Sequence, residues 1–136
     1  MKKMTFAAVC ICLISCLSII PIAYAGIMAS EVISSYSVTT SSDGSGNITA
    51  VATIQAVSKS DKIGFPVIRI QEKQGSSWVT VKSVSGKYKT DATSYSYSIS
   101  YDGTVGKSYR CYAEFYAEKD GVSDTRSKTS SSITAG

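Results

Sequence analysis

Histidine is absent from this sequence of 136 residues, and proline, cysteine and charged residues are few. Without histidine the chain cannot build a Ser-His-Asp or Cys-His catalytic set, nor a histidine-ligated metal site. Its two prolines exclude a proline-rich linker or a collagen-like rod. Charged residues make up 18% of the chain and hydrophobic residues 43%, which is too apolar for a disordered protein. The sequence therefore predicts one folded domain without a familiar catalytic set.

The N-terminal segment is typical of an export signal. A positively charged start precedes an uncharged apolar run over residues 6–20, and small residues occupy the two positions that signal peptidase reads. This pattern predicts a signal peptide over residues 1–25, cleaved between Ala25 and Gly26, and a mature domain over residues 26–136. We therefore expect a secreted, extracellular protein.

Two other interpretations of this segment stay open. The apolar stretch over residues 4–25 is long enough to serve as an uncleaved membrane anchor, since a spanning helix needs about 20 residues. Alternatively, Leu-Ile-Ser-Cys at residues 13–16 resembles a bacterial lipobox, in which Cys16 is lipidated and anchors the protein at the cell surface. The small-residue site favours cleavage before Gly26 over both.

Charge and cysteine content narrow the range of partners and crosslinks. The formal net charge is +4, and the lysines at positions 2 and 3 supply two of these charges. So weak a positive charge, without a basic cluster, predicts no binding of nucleic acid. Cys111 is the one cysteine outside the signal segment, so we expect no internal disulfide in the mature domain.

Short alternating runs separated by turn residues predict an all-β domain. Threonine, tyrosine and valine favour strands, and no window shows the sustained apolar spacing of an amphipathic helix. Seven antiparallel strands are predicted, over residues 32–40, 47–57, 64–72, 78–84, 93–101, 108–118 and 122–134. Seven strands in about 100 residues match the strand count and size of an immunoglobulin-like sandwich.

Two of these strands show the clearest alternation. Every second residue from Ile48 to Ala56 is apolar and is expected to face the core. In strand 108–118 the inner face is predicted to hold Tyr109, Cys111, Ala113, Phe115 and Ala117, and the outer face Arg110, Tyr112, Glu114, Tyr116 and Glu118. Residues 58–62 and 86–91 are polar and are expected to be turns or connections. Pro66 can donate no ladder hydrogen bond, which predicts an edge or a bulge.

The second half of the chain resembles an immunoglobulin-like or fibronectin type III domain. Thr-Ser-Tyr-Ser-Tyr-Ser-Ile at residues 93–99 and Gly-Lys-Ser-Tyr-Arg-Cys-Tyr-Ala at residues 106–113 are similar to strands E and F of those families. The resemblance implies that Tyr109 is a structural tyrosine corner, whose hydroxyl bonds back across the turn. The second predicted strand has no cysteine to pair with Cys111, which favours the disulfide-free fibronectin-like kind. Trp78 also departs from the pattern, because it follows a hairpin turn.

The mature chain also resembles a family of small secreted proteins of Gram-positive bacteria that has no assigned function. The shared pattern comprises an Ile-Arg-Ile-Gln strand at residues 68–71, a Gly-Ser-Ser-Trp-Val-Thr-Val hairpin at 75–81 and a Gly-x-x-Tyr-Arg-x-Tyr strand at 106–112. These motifs are structural, so the resemblance speaks for a fold and names no activity.

Trp78, Tyr112 and Tyr116 are the candidate binding residues. Tyr112 and Tyr116 share the outer face of one predicted strand, and tryptophan and tyrosine offer large, rigid contacts with a polar tip. Such a face suits a sugar ring or a protein partner. The alternative is cross-strand aromatic pairing that merely stiffens a sheet, and the sequence favours that alternative because it does not place Trp78 beside the tyrosines.

The other chemistry-bearing residues favour structural roles. Cys111 alternates with apolar residues and is expected to be a buried small hydrophobe rather than a reactive thiol. The row of Tyr95, Tyr97 and Tyr101 predicts core and sheet rim. Carboxylates such as Glu114 and Glu118 lie beside cations and predict solvated ion pairs rather than a glycosidase pair. The acidic turns lack the density of a calcium loop. No catalytic residue, metal site or cofactor is therefore predicted.

These observations together predict a non-enzymatic, exported β-sandwich that binds an unknown extracellular protein or glycan. Two alternatives belong to other classes. One is a carbohydrate-binding module for cell-wall or host glycans. The other is a self-assembling matrix or fibre subunit, suggested by the serine- and threonine-rich strands and by the uncharged strand 32–40, which has nothing to protect its edge.

Overall fold

The computed structural model describes residues 31–136, and these residues form an all-β, antiparallel structure. The predicted signal peptide, Cys16 and the cleavage site between Ala25 and Gly26 lie outside the described residues. Six strands are present: β1 (Ile33–Ser42), β2 (Asn47–Gln74), β3 (Ser77–Asp102), β4 (Ser108–Lys119), β5 (Val122–Thr129) and β6 (Ile133–Thr134). The prediction of an all-β, antiparallel fold is confirmed.

The strands form one sheet with the order β1-β2-β4-β5, in which β3 also pairs with β2 and β6 pairs with β4. The length of β2 lets its two halves take different neighbours. Its first half, residues 47–55, lies between β1 and residues 94–102 of β3, and we call this group the first leaf. Its second half, residues 60–74, lies between residues 77–92 of β3 and β4, which continues to β5 and β6; we call this group the second leaf.

The sheet curls into a half-barrel that folds the two leaves over a shared core. Tyr36 of β1 stacks against Phe115 of β4 with ring centroids 5.1 Å apart, and Phe65 of β2 meets Phe115 edge-on at 5.7 Å. The alternation predicted for two strands is confirmed, because these residues are all buried: Ile48, Ala50, Ala52, Ile54, Ala56, Tyr109, Cys111, Ala113, Phe115 and Ala117. One face of each strand therefore builds the core, and the opposite face is left for solvent or a partner.

The strand count differs from the predicted seven because main-chain pairing continues through two polar segments. Residues 58–62 and 86–91 were expected to be turns or connections, yet Ser60 pairs with Ala92 and Lys62 with Thr90. Predicted strands 47–57 and 64–72 are thus halves of β2, and 78–84 and 93–101 are parts of β3. Polar side chains do not prevent this pairing, since backbone groups make the ladder.

The last predicted strand is divided, and one predicted bulge is present. Residues 122–134 form β5 and β6, separated at Ser130, whose hydroxyl accepts a hydrogen bond from the Cys111 amide at 2.9 Å. A serine side chain therefore replaces a main-chain acceptor of the ladder at this point. The pairing of β2 with β4 shifts register between Gly64 and Ile68, the interval that contains Pro66. Pro66 predicted an edge or a bulge, and this register shift agrees with the bulge.

Candidate functional site

The outward surface of the second leaf brings the three candidate binding residues onto one face. Tyr112 and Tyr116 alternate along β4 with buried residues and are themselves half-buried. Trp78 is the second residue of β3 and pairs with Lys73 of β2. Lys73 points outward because its neighbour Glu72 points inward. The Arg110 guanidinium of β4 lies 4.4 Å from the centre of the Trp78 ring. The structure therefore supplies what the sequence could not, a position for Trp78 on the face that carries Tyr112.

Four aromatic rings and three cations make up this surface, which we call the aromatic face: Trp78, Tyr88, Tyr112, Tyr116, Lys62, Arg69 and Arg110. Its members come from β2, β3 and β4, and register alone sets their order. None of them belongs to the buried core. The face is thus built on rigid strands rather than on loops.

At one end of the aromatic face, arginines pack on rings. Arg69 pairs across the strands with Tyr112, and its guanidinium lies 5.8 Å from the centre of that ring. Arg110 reaches over Trp78, and its Nε donates a hydrogen bond of 2.8 Å to Gln71. A cation over an aromatic face contributes about 0.5–1 kcal/mol at exposed sites. These contacts hold the rings in fixed orientations.

At the other end, Tyr88 and Tyr116 meet across Gly64. Both tyrosines are cross-strand partners of this glycine, one on β3 and one on β4. Their rings lie edge to face with centroids 6.1 Å apart, and Lys62 Nζ lies 4.2 Å from the Tyr88 ring and 5.8 Å from the Tyr116 ring. A Cβ at position 64 would lie 2.0 Å from the Lys87 carbonyl oxygen, so only glycine fits. The close approach of β2 to β3 at this point depends on that glycine.

Two carboxylates beside the aromatic face, those of Glu114 and Glu118, accept hydrogen bonds from tyrosines of the same strand. Tyr112 donates a hydrogen bond of 2.9 Å to Glu114, and Tyr116 donates one to Glu118. Burial, followed by the bond to Glu114, raises the pKa of Tyr112, whereas the bond to Glu118 is the main cause that raises the pKa of Tyr116. Both phenols therefore stay protonated donors at neutral pH, and both carboxylates serve as their acceptors.

The sequence did not predict Tyr88 as a member of the face, although Arg110 was expected to point outward. Tyr88 lies in the polar segment 86–91, where no period of two indicates a strand. Its contact with Tyr116 follows from the pairing of Gly64 with both residues. A glycine flanked by apolar β residues is the one sequence signal at this place, because it suggests a close backbone approach.

Tyr109 lies apart from the aromatic face, buried at the inner end of β4. Its hydroxyl accepts a hydrogen bond of 2.8 Å from the Thr104 amide, five residues earlier, and donates one of 2.8 Å to the buried carboxylate of Glu72. Lys107 Nζ donates a bond of 2.9 Å to the same carboxylate and is the main cause that lowers the pKa of Glu72. This network ties the turn before β4 to the end of β2. It is a structural arrangement, since every polar atom in it has a partner in the fold.

Cys111 is a free, fully buried cysteine between Tyr109 and Ala113, as its alternation predicted. Burial raises the pKa of its thiol to about 12. The thiolate form is therefore scarce at neutral pH, and the side chain packs as a small apolar group.

The free side of β1 is bridged to the C-terminal segment. The Ile33 amide bonds to the Asp124 carboxylate at 3.3 Å, and the hydroxyls of Thr40 and Ser130 lie 2.6 Å apart. At the far end Ser42 donates a bond of 3.1 Å to the Gly136 carbonyl. The uncharged edge that suggested self-assembly is thus tied at three points to β5 and the chain that follows it, and its other main-chain groups have no ladder partner.

A shallow cavity of about 300 Å³ lies elsewhere, at the end of the fold where the described chain begins. Its lining consists of Glu31, Val32, Val57, Ser58, Lys119, Asp120 and Val122, and includes no candidate binding residue. Across residues 31–136 there is no group of three or more cysteine, aspartate or glutamate side chains placed to hold a metal ion. Within the same residues, no helix is long and apolar enough to cross a membrane.

No protein-family model, curated protein or solved structure matches the chain. The resemblance to small secreted proteins of Gram-positive bacteria and to immunoglobulin-like domains therefore stays a prediction. The described residues form an all-β antiparallel structure that carries the aromatic face on its second leaf.

Proposed function

We propose that the protein is an exported, non-enzymatic binding module whose aromatic face contacts an extracellular partner. The observation that carries this proposal is the convergence of Trp78, Tyr112 and Tyr116 on one outward surface of the second leaf. Tryptophan, tyrosine and arginine are the residues that most often dominate binding energy at protein interfaces. Residues of these three types lie side by side on β2, β3 and β4 in the aromatic face.

The fixed geometry of the aromatic face supports a binding role. Tyr112 and Tyr116 are held by hydrogen bonds to neighbouring carboxylates, and Trp78 is held by Arg110. Side chains that are ordered before binding lose less conformational entropy when a partner arrives. Cross-strand pairing that stiffens the sheet and binding by the same rings are therefore compatible functions.

The finer fold assignment is part of the same proposal. We assign the protein an immunoglobulin-like, fibronectin type III-like sandwich in which the two bent strands each count as two. The first leaf then contains three strand segments and the second leaf contains four, if β6 is taken as the end of β5. The assignment is supported because the strand segments of the two leaves correspond to the seven strands that the sequence predicts.

Export and processing complete the proposal. The signal peptide over residues 1–25 directs secretion, and cleavage before Gly26 releases the domain into the medium. The alternative is lipidation at Cys16, which tethers the same domain to the cell surface. In either case the aromatic face meets extracellular molecules.

A glycan is a second candidate partner, favoured by the polar groups beside the rings. Gln71 and Glu114 lie next to Trp78 and Tyr112 through their bonds to Arg110 and to the Tyr112 hydroxyl. Sugar rings bind where an aromatic surface and hydrogen-bonding side chains adjoin. A protein partner needs the same surface, so the experiment must separate the two.

The test uses protein purified from the medium of cells that express the full chain. Retention is measured on insoluble polysaccharides (chitin, cellulose and purified cell wall) and on immobilised matrix proteins (collagen and fibronectin). We expect retention on at least one support, and loss of retention in the double variant Tyr112→Ser/Tyr116→Ser. The matched control is Val57→Ser, which changes an exposed apolar residue outside the aromatic face. Retention that is unchanged in the folded double variant contradicts the site, and flow-through on every support contradicts the function.

A further inference from the structure

The outer edge of β3 has no main-chain partner within residues 31–136. This strand of 26 residues pairs with β2 along one side only, and no backbone hydrogen bond joins residues 77–102 to any other strand. The outer side of β1 also lacks a ladder partner, but Asp124, Ser130 and Gly136 contact it at three points. An unpaired strand edge is a row of donors and acceptors that a second extended chain can pair with.

Over residues 77–92 the register of β3 with β2 shifts once, at Val81, and is then constant from Lys82 to Ala92. Gly86 and Asp91 adopt left-handed backbone angles, with φ of 65° and 51°, although the ladder with β2 continues past both residues. In the later half of β3, Lys82 Nζ donates a hydrogen bond to the Ser100 carbonyl and covers it. The stretch from Ser77 to Ser85 therefore contains neither a left-handed residue nor a carbonyl covered by Lys82, which favours it for an added strand.

Positive charge is concentrated along this edge. Between residues 77 and 90, β3 carries Lys82, Lys87 and Lys89 and no acidic residue. Lys87 and Lys89 extend over the rings of Tyr97 and Tyr95, with Nζ 5.3 Å and 5.0 Å from the ring centres. Their ammonium groups are thus held along the open side of the half-barrel.

The neighbouring half of β2 carries three cations and one exposed carboxylate, that of Asp61. Lys62, Arg69 and Lys73 lie along it, whereas its Glu72 carboxylate is buried and paired with Lys107. The exposed Asp61 accepts a hydrogen bond of 2.8 Å from the Asp120 amide. The border formed by β2 and β3 therefore presents a positive field to an approaching chain.

We propose that the edge of β3 over residues 77–85 binds an extended, acidic peptide segment of a partner protein by strand addition. The main-chain groups of β3 supply the hydrogen bonds. Lys82 within the segment, and Lys87 and Lys89 just beyond it, select carboxylates. The proposal rests on the binding function proposed above in one respect, because the added strand lies beside Trp78 at the margin of the aromatic face.

A second copy of the chain is a poorer occupant than an acidic peptide. Antiparallel pairing of two β3 edges brings lysines of one copy near lysines of the other, and like charges across strands destabilise a sheet. A flexible polyanion satisfies the lysines but leaves the main-chain donors and acceptors of β3 unpaired. Extended backbone and negative charge are both needed to match the edge.

The test compares two synthetic peptides matched in length to residues 77–85, one alternating threonine with glutamate and one alternating threonine with lysine. Affinity is measured by fluorescence anisotropy, and amide hydrogen exchange is measured by NMR on the secreted protein. We expect the glutamate peptide to bind at least about tenfold more tightly, since a few charge pairs supply that ratio. We also expect it to slow exchange at alternate amides between Ser77 and Ser85.

Variants identify the charges. The triple variant Lys82→Glu/Lys87→Glu/Lys89→Glu is expected to reverse the preference between the two peptides. Lys59→Glu, at an exposed lysine of the bulge in β2, is the matched control and is expected to leave the preference unchanged. Thermal unfolding verifies that each variant is folded before it is used.

Four outcomes overturn strand addition. They are no binding at millimolar peptide, equal binding of both peptides, binding without protection of β3 amides, and protection that appears without peptide as protein concentration rises. The third outcome, together with displacement by heparin, identifies a polyanion site, and the fourth identifies a second copy. Failure here leaves the proposed function standing if Tyr112→Ser/Tyr116→Ser still abolishes retention. If the double variant is retained as well as the parent protein while both bind the peptide, the aromatic-face proposal is contradicted instead.

Discussion

Tyr88 and Tyr116, from strands on opposite sides of β2, meet edge to face with ring centroids 6.1 Å apart. They meet because Gly64 between them has no side chain and lets β3 approach closely. One small residue in the interior of a strand thereby joins three strands of the second leaf and orders one end of the aromatic face.

Replacing Gly64 with alanine is expected to destabilise the protein by about 3 kcal/mol, because the new Cβ would lie against the Lys87 carbonyl and backbone must move. Urea unfolding measures the free energy. The control is Gly75→Ala in the turn between β2 and β3, where nothing lies within 4 Å and only the left-handed backbone angle opposes a side chain. That cost is about 1 kcal/mol. Equal losses in the two variants contradict the close-approach explanation.

Removing the hydroxyl of Tyr109 is expected to cost about 1–3 kcal/mol, because Tyr109→Phe leaves the Thr104 amide without its acceptor and removes a donor from a buried carboxylate. The measurement is again urea unfolding. Tyr101→Phe deletes the same atom from a half-buried tyrosine whose hydroxyl makes no hydrogen bond within residues 31–136. We expect that control to stay within about 0.5 kcal/mol of the parent. A Tyr109→Phe variant as stable as the control contradicts the role of the network.

Acid should destabilise the protein through Glu72. The bond from Lys107 lowers the pKa of this carboxylate in the folded state, so the folded pKa lies below the unfolded value. Its stabilisation is therefore complete above the unfolded pKa of about 4.3 and is lost as the pH falls through the folded pKa. Melting temperatures measured between neutral pH and pH 3 should fall more steeply in the parent than in Glu72→Gln.

A residual acid dependence is expected in Glu72→Gln, because hydrogen bonds from Ser45 lower the pKa of Asp43 as well. Parallel melting curves for the parent and Glu72→Gln across that pH range contradict the assignment to Glu72.

Processing of the N-terminus gives a separate prediction. Protein isolated from its own culture is expected in the medium, with an intact mass that starts at Gly26. A lipid-modified mass that starts at Cys16, found in the membrane fraction, identifies a tethered surface protein and contradicts cleavage after Ala25. Exchange of Ala25 for a bulky residue such as tryptophan is expected to block cleavage at the predicted site.

The inner faces of β2 and β4 were predictable because strand side chains alternate with a period of two. Every second residue from Ile48 to Ala56 is apolar, and that pattern alone shows which side chains face the core. The hydroxyl of Tyr109 was expected to bond back across the turn by resemblance to known domains. Its second bond, to Glu72, joins residues 37 positions apart and has no signal in either segment.

The bend of the sheet and the membership of the aromatic face were not predictable from the sequence. Lys62 pairs with Thr90 through backbone groups, so two polar segments that look like turns continue their strands. Tyr88 reaches Tyr116, and Trp78 reaches Arg110, only because the register of three strands brings them together. Register depends on the whole sheet, and a single strand does not contain it.

The central claim is that the aromatic face, rather than the turns or β1, contacts the partner. The most direct measurement is a map of backbone amide chemical-shift changes when the isotope-labelled secreted protein is titrated with the support molecule that retains it, in soluble form. We expect the largest changes to cluster at Trp78, Arg69, Tyr112 and Tyr116. Changes confined to β1 or to the turn between β3 and β4 would contradict it.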